Sequence, residues 1–268
     1  MNSNFLEKVG KNPMNKKGQV TVFIIIGVIL LAGIIIYFLI AQRTGIIIPK
    51  PTISEPETYI EKCARDAASD SIDIMLPQGG WITPKHYMTY KNDTVQFLCY
   101  TNLYYKTCTN QEPMYIEHLE KEITTAITDK VDRCFNELKS GLTDEGYSVD
   151  MGSMNMSTYL STGIVRINIE RKFSMTRNQE TRNFDKFKAV FNSPLYKLGV
   201  VALEVANQEA KYCNFEYVGF MLLYPEFSID KKFTGSGTNV TKFYFIKDVY
   251  SGKQLNIAIR SCAFPEGF

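Results

Sequence analysis

Residues 116–138, IEHLEKEITTAITDKVDRCFNEL, contain the most regular hydrophobic pattern of the chain. Apolar side chains recur every three or four residues, at Ile116, Leu119, Ile123, Ile127, Val131, Cys134 and Leu138. This spacing places them on one face of an α-helix and leaves the charged residues on the other faces. We therefore predict a helix over residues 112–139 that packs on a core, with Gly141 as its C-terminal stop.

Two further helices are predicted around this one. Residues 57–76 place small and apolar side chains on one face, and LPQGGW at 76–81 then ends the helix. Pro194 suits the first turn of a helix that continues to about Tyr212, because that position needs no backbone N–H. One stripe of this last helix carries Leu195, Leu198, Val201, Ala202, Val205 and Glu209.

The other regular segments are predicted to be strands, rich in β-branched and aromatic residues. They are 86–90 and 95–100 around a turn at 91–93, then 164–173, 215–225, and 243–250 and 255–262 around Ser251-Gly252-Lys253. Residues 182–191 fit either a helix or a strand, and FTGSGTN at 233–239 indicates a loop. The prediction is an α+β domain with antiparallel strands over residues 58–268, large enough to bury a core.

The composition is that of a globular protein. Of the 268 residues 45% are hydrophobic and 22% are charged, and the formal net charge is +2. These values exclude long disorder, collagen and multi-span membrane proteins. A net charge this close to zero does not indicate a nucleic-acid partner.

Residues 20–41, VTVFIIIGVILLAGIIIYFLIA, contain no charged side chain. A run of about 20 apolar residues can cross a bilayer, so we predict a transmembrane helix here and the lipid bilayer as its partner. A buried core helix and a cleaved secretory peptide are the alternatives, although the apolar part of such a peptide is usually about 7–15 residues long. Residues 1–19 form a basic head, in which Met14 is an alternative start, and residues 42–57 form a proline-containing stalk. The excess of lysines before the run predicts a cytoplasmic N-terminus and an extracellular domain.

All six cysteines follow the apolar run: Cys63, Cys99, Cys108, Cys134, Cys213 and Cys262. An even number on the outer side indicates disulfides in an oxidising compartment. Cys99 and Cys108 bracket a short segment, Cys63 and Cys134 lie on the apolar faces of two predicted helices, and Cys213 and Cys262 remain for each other. No CxxC pair is present, and His118 with Glu122 makes only two ligands, so we expect neither a metal nor another cofactor.

Two kinds of surface feature are expected outside the core. Asn92, Asn155 and Asn239 stand in Asn-x-Ser/Thr sequons and are candidate glycosylation sites in surface loops. Tyr100, Tyr104 and Tyr105 lie between Cys99 and Cys108, where they form either a recognition loop or part of the sheet packing.

No catalytic motif is found in the sequence, so we expect no enzyme. A nucleophilic serine or cysteine would need a histidine base, and the chain has only two histidines that could serve. Asp66, Asp70 and Asp73 cluster on the first soluble helix, where a solvated face is the expected role and a pair of catalytic carboxylates the alternative.

The segment KKGQVTVFIII at 16–26 resembles the class III, prepilin-like signal sequences of archaea. In those proteins a membrane peptidase cuts between the glycine and the glutamine, here Gly18 and Gln19, and the apolar helix packs into a filament. YIEKC at 59–63 and LPQGGW at 76–81 extend the likeness to single-pass archaeal proteins that begin MNKKGQ. Pilin-type helices carry glutamate at the fifth mature position, which is Phe23 in this chain.

These features together predict a membrane-anchored archaeal cell-surface protein with a structural or interaction role. A pilin-like filament subunit, with self-assembly through the apolar helix, is the sharper form of this hypothesis. An adhesion or assembly component that binds other cell-surface proteins is the broader form. The alternatives are an extracellular ligand-binding module and, last, a hydrolase that uses carboxylates.

Overall fold

The computed structural model describes residues 25–34, 55–235 and 240–262. The chain divides into two compact units, Met1–Pro51 and Thr52–Phe268. In the first unit residues 25–34 are helical (α1), and their large apolar side chains are exposed. No helix within these described ranges is long and apolar enough to span a membrane. Residues 20–24 and 35–41 of the predicted membrane helix, the basic head 1–19 and most of the stalk lie outside the described residues.

The second unit is a mixed α+β fold. Its helices are α2 (Pro56–Met75), α3 (Tyr115–Asp144), α4 (Leu195–Tyr212) and α5 (Tyr217–Leu223), with a 3₁₀ turn at Leu76–Gln78. Its strands are β1 (Tyr87–Tyr90), β2 (Asp93–Tyr100), β3 (Thr109–Asn110), β4 (Ser148–Ser161), β5 (Ile164–Arg177), β6 (Glu180–Asn192), β7 (Phe227–Thr234), β8 (Thr241–Asp248) and β9 (Gln254–Arg260).

Helices α2 and α3 pack against the antiparallel sheet β4-β5-β6. Of the apolar face that the sequence predicts for α3, Ile116 and Cys134 are partly buried, and the other members are buried: Leu119, Ile123, Ile127, Val131 and Leu138. Strand β5 turns its odd-numbered residues inward, as its alternation predicts. Arg171 interrupts this apolar face, and its guanidinium lies over the Phe135 ring and pairs with Asp132 at 2.7 Å.

A second sheet has the strand order β1-β2-β9-β8-β7, with β3 also paired to β2. Its pairs are antiparallel except for the parallel pair of β2 and β9, an exception to the predicted antiparallel pattern. Helix α4 and the 3₁₀ turn pack on one face. On the other face Tyr90 of β1 lies 4.9 Å from Phe243 and 5.2 Å from Phe245 of β8. The β1–β2 hairpin therefore curls over the sheet and closes a small second core around Phe97 and Phe243.

Several predicted elements differ from the structure. Helix α3 starts at Tyr115 and runs past Gly141 to Asp144, because the buried Leu142 gives one more turn a packing partner. Residues 182–191 form a strand. The predicted strand 215–225 is wrong: α5 occupies its centre, and the Glu216 carboxylate accepts hydrogen bonds from the Val218 and Gly219 amides. The predicted loop at 233–239 begins as the end of β7, and its residues 236–239 lie outside the described ones.

Candidate functional site

Three disulfides join the six cysteines, with Cα–Cα distances of 6.6 Å for Cys63–Cys134, 5.5 Å for Cys99–Cys108 and 5.3 Å for Cys213–Cys262. These are the pairs that the sequence suggested from the predicted helix faces and from the short segment between Cys99 and Cys108. The first bridge ties α2 to α3. The last ties the end of α4 to the residues that follow β9, and both of its cysteines are buried.

A buried charged cluster lies directly beneath the Cys213–Cys262 bridge, at the C-terminal end of α4. Glu209 belongs to the apolar stripe of this helix and is fully buried. Its carboxylate accepts hydrogen bonds from Lys242 Nζ at 2.6 Å, from Ser261 Oγ at 2.6 Å and from the Tyr244 hydroxyl. An ionised carboxylate is very costly to bury alone, so these three donors are what allows Glu209 to occupy a core position.

Lys242 links this cluster to the disulfide. Its Nζ donates to Ser261 Oγ at 3.0 Å and to the backbone carbonyls of both bridged residues, Cys213 and Cys262. The same ammonium group thus holds the end of α4 and the end of β9 that the bridge joins covalently.

Lys231 of β7 reaches the cluster from its other side. Its Nζ lies 3.7 Å from Glu209 Oε1 and donates to Asn214 Oδ1 at 2.9 Å. The amine also lies 5.1 Å from the centre of the Tyr244 ring. Burial lowers the pKa of Lys231, the charge of Lys242 lowers it further, and the nearby Glu209 acts in the opposite direction.

The same surroundings also shift the pKa of Tyr244. Burial raises the pKa of its hydroxyl, and the charge and hydrogen bond of Glu209 raise it further. The cluster therefore holds one carboxylate among a neutral phenol and two amines, one of which is biased toward its uncharged, nucleophilic form.

The tyrosine loop predicted from the sequence separates into two parts. Tyr100 belongs to the sheet packing, because its ring lies 4.2 Å from that of His86 and 5.5 Å from the Arg260 guanidinium. Tyr104 and Tyr105 are 57% and 51% exposed, with their ring centres 5.3 Å apart. Two of the three tyrosines are therefore available at the surface.

A groove of 630 Å³ lies between α4 and the segment from α5 to β7. Its apolar lining comes from Tyr196, Val200, Leu203, Phe220, Tyr224 and Phe227. Lys197, Glu204 and Glu226 add charged groups to it. The sequence did not predict this groove. Residues 215–225 were predicted to be a strand, whereas α5 in this segment forms part of the groove lining.

The other predicted site residues lie apart from one another. His118 contacts the Gly80 carbonyl at 3.2 Å, whereas Glu122 accepts from the Ile82 amide at 2.8 Å. Asp66, Asp70 and Asp73 are exposed as expected, and the last two pair with Lys130 and Lys253. Within the described ranges no group of three potential ligands could hold a metal ion.

The sequons and the cleavage site have different outcomes. Asn92 is exposed in the β1–β2 turn. Asn155 is exposed on strand β4, so its predicted position in a loop is wrong. Asn239, Gly18 and Gln19 lie outside the described residues.

Comparison of the chain with protein-family models, with curated proteins and with solved structures finds no match.

Proposed function

We propose that this protein is a single-pass, membrane-anchored cell-surface protein of an archaeon, with a structural or interaction role. The observation that carries the proposal is the use of all six cysteines in disulfides that tie helices and strands of the second unit together. Such bridges persist in oxidising compartments and are rare in the cytoplasm. The uncharged run at 20–41, with its basic head, supplies the anchor.

Membrane orientation is the first test. In closed vesicles with the cytoplasmic side out, protease should remove the head and leave the domain from residue 55 onward intact. Changing both Lys16 and Lys17 to Glu should invert or weaken insertion, because lysines before an apolar run hold that end in the cytoplasm. Digestion of the domain in intact vesicles of the unaltered protein would contradict the proposed topology.

N-terminal sequencing of the protein extracted from membranes tests the filament form of the proposal. A mature chain that begins at Gln19 would support prepilin-type processing and self-assembly through the apolar helix. A chain that begins at Met1 or Met14 would instead support a permanent anchor with an adhesion or assembly role.

A tethered ligand-binding module is the second candidate, and the apolar groove between α4 and α5 favours it. An apolar fluorescent dye should bind the protein, and Val200→Glu in the groove lining should abolish that binding. Val249→Glu is the matched control, because Val249 is exposed but does not line the groove. Equal loss of dye binding in both variants would argue against the groove as a binding site.

A further inference from the structure

The geometry points to an intramolecular amide cross-link between Lys231 and Asn214, formed by the chain itself with Glu209 as the proton-transferring group. Three components are needed for such a reaction: an amine nucleophile, a carboxamide and a neighbouring carboxylate that moves protons. The charged cluster supplies all three within a few ångströms.

The amine and the carboxamide are already in contact. Lys231 Nζ lies 2.9 Å from Asn214 Oδ1, which brings it to the edge of the carbonyl group whose carbon it would attack. Effective intramolecular reactions require reacting atoms held at about 3–3.5 Å. Hydrogen-bond contact therefore holds the two reacting groups side by side.

The surroundings activate the amine. The Lys231 side chain is 8% exposed and lies over the rings of Tyr244 and Phe233. A lysine that is desolvated in this way, beside a second cationic group such as Lys242, reacts more readily because more of it is uncharged. Its lowered pKa agrees with this placement.

The backbone holds both partners in place. Asn214 directly follows Cys213, which has a left-handed φ of 53° at the end of α4 and is bridged to Cys262. Lys231 stands opposite Tyr244 in the β7–β8 register. The Tyr244 hydroxyl in turn donates to Glu209, so the strand that positions the amine also positions the carboxylate.

The reaction balances without an oxidant or another reagent. The uncharged Lys231 amine attacks Cγ of Asn214 and forms the new C–N bond. Glu209, 3.7 Å from the amine, accepts the proton that this nitrogen releases and returns it to the departing amide nitrogen. The old C–N bond breaks, one ammonia leaves, and a secondary amide remains. Asn214 is exposed, so the ammonia can escape to solvent while the amine stays buried.

Lys242 shows why only one of the two lysines is assigned this role. It lies closer to Glu209, but its contacts are the carboxylate, a hydroxyl and two backbone carbonyls. Among its described partners there is no side-chain amide. Lys242 and Glu209 therefore form only an ion pair. Lys231 can form a cross-link because the carboxamide of Asn214 lies beside it.

The cross-link would close the chain from residue 214 to residue 231 around α5. In the described residues β7 is the last strand in the order of its sheet. The cross-link would attach β7 to the end of α4, which the Cys213–Cys262 bridge also attaches to the residues after β9. Such a bond resists reduction, unlike the adjacent disulfide.

The test is the intact mass of the full-length protein after reduction and alkylation, followed by tandem mass spectrometry of its peptides. We expect a mass below the sequence mass by one ammonia, and a branched peptide that joins Lys231 to Asn214. Lys231→Arg and Asn214→Ala should each restore the full mass expected for their sequences. Lys232→Arg is the matched control, because the adjacent Lys232 pairs with Asp230, and it should retain the deficit.

Two results would overturn the proposal. One is the full sequence mass in the unaltered protein, with Lys231 and Asn214 recovered in separate linear peptides. The other is a deficit of one ammonia that persists in Lys231→Arg and lies in the peptide that contains Asn214, since that would be an Asn214 succinimide rather than a cross-link. Glu209→Gln should also abolish the deficit, and circular dichroism will show whether this variant folds.

Discussion

Lys242 Nζ lies 2.6 Å from Glu209 Oε2 in an interior where the two side chains are 7% and 0% exposed. The ion pair of Lys130 with Asp70 is much more exposed. The buried pair joins α4 to β8 at the corner that the Cys213–Cys262 bridge also fastens. Its loss would leave a carboxylate in the core with too few donors.

Lys242→Met should destabilise the protein strongly, because it removes the closest cation from the buried Glu209. Breaking one partner of a buried pair costs about 3–5 kcal/mol, whereas an exposed pair is worth about 0–1 kcal/mol. Lys130→Met is therefore the matched control and should have little effect on the free energy of unfolding. Urea unfolding of the full-length variants, followed by circular dichroism, measures both changes. Similar midpoints for the two variants would contradict a structural role for the buried pair.

Gly80→Ala should destabilise the protein through a local clash. Gly80 has a φ of +90°, and a Cβ there would lie 2.5 Å from the Tyr115 hydroxyl and 2.6 Å from a Leu119 methyl. Gly146 has a similar φ of +87° but nothing within 4 Å of its Cβ position, so Gly146→Ala isolates the backbone strain alone. We expect Gly80→Ala to cost about 1–3 kcal/mol more than Gly146→Ala in the free energy of unfolding. Equal costs would mean that the Tyr115 side chain moves aside freely.

The sequence predicted α2, α3 and α4 because each helix turns one apolar face to a core, which a spacing of three or four residues reveals. It also placed Glu209 on the apolar stripe of α4. Strand β4 was missed because its half-buried side chains include Met151, Met154 and Met156, which have no strong strand preference. Strand β7 was missed because Lys231 occupies one of its inward positions.

The charged cluster could not be predicted from local patterns. Glu209, Lys231 and Lys242 lie on three elements that are far apart in the chain, and each lysine alone suggests a solvated side chain. Only the packing of α4 on the sheet that contains β7 and β8 brings the three together. By contrast, the disulfide partners were accessible to sequence reasoning because Cys63 and Cys134 lie on helix faces that must meet.

Stability should fall as the pH rises above the ordinary tyrosine pKa of 10.0. Burial raises the pKa of Tyr115 well above that value, and the charge of Glu112 adds to the shift. The unfolded chain therefore loses its proton first, so the stabilisation is complete below pH 10 and is lost at higher pH. Tyr115→Phe should reduce the slope of unfolding free energy against pH by up to about 1.4 kcal/mol per pH unit. Parallel slopes of unfolding free energy against pH for the two proteins above pH 10 would show that Tyr115 loses its proton at the ordinary tyrosine pKa in the folded state too.

The disulfides should differ in their contribution to stability according to the length of chain that each one closes. Cys63–Cys134 spans 71 residues and Cys99–Cys108 spans 9. Because a cross-link restricts the unfolded chain more when its loop is longer, the first bridge should contribute about 2 kcal/mol more than the second. Unfolding of the double variants Cys63→Ala/Cys134→Ala and Cys99→Ala/Cys108→Ala in urea measures this difference. Burial works against the expected order, since Cys99 and Cys108 are buried and their replacement also removes packed sulfur atoms. A larger loss in the Cys99–Cys108 variant would therefore mean that this packing, and not the loop entropy, dominates the contribution of the bridges.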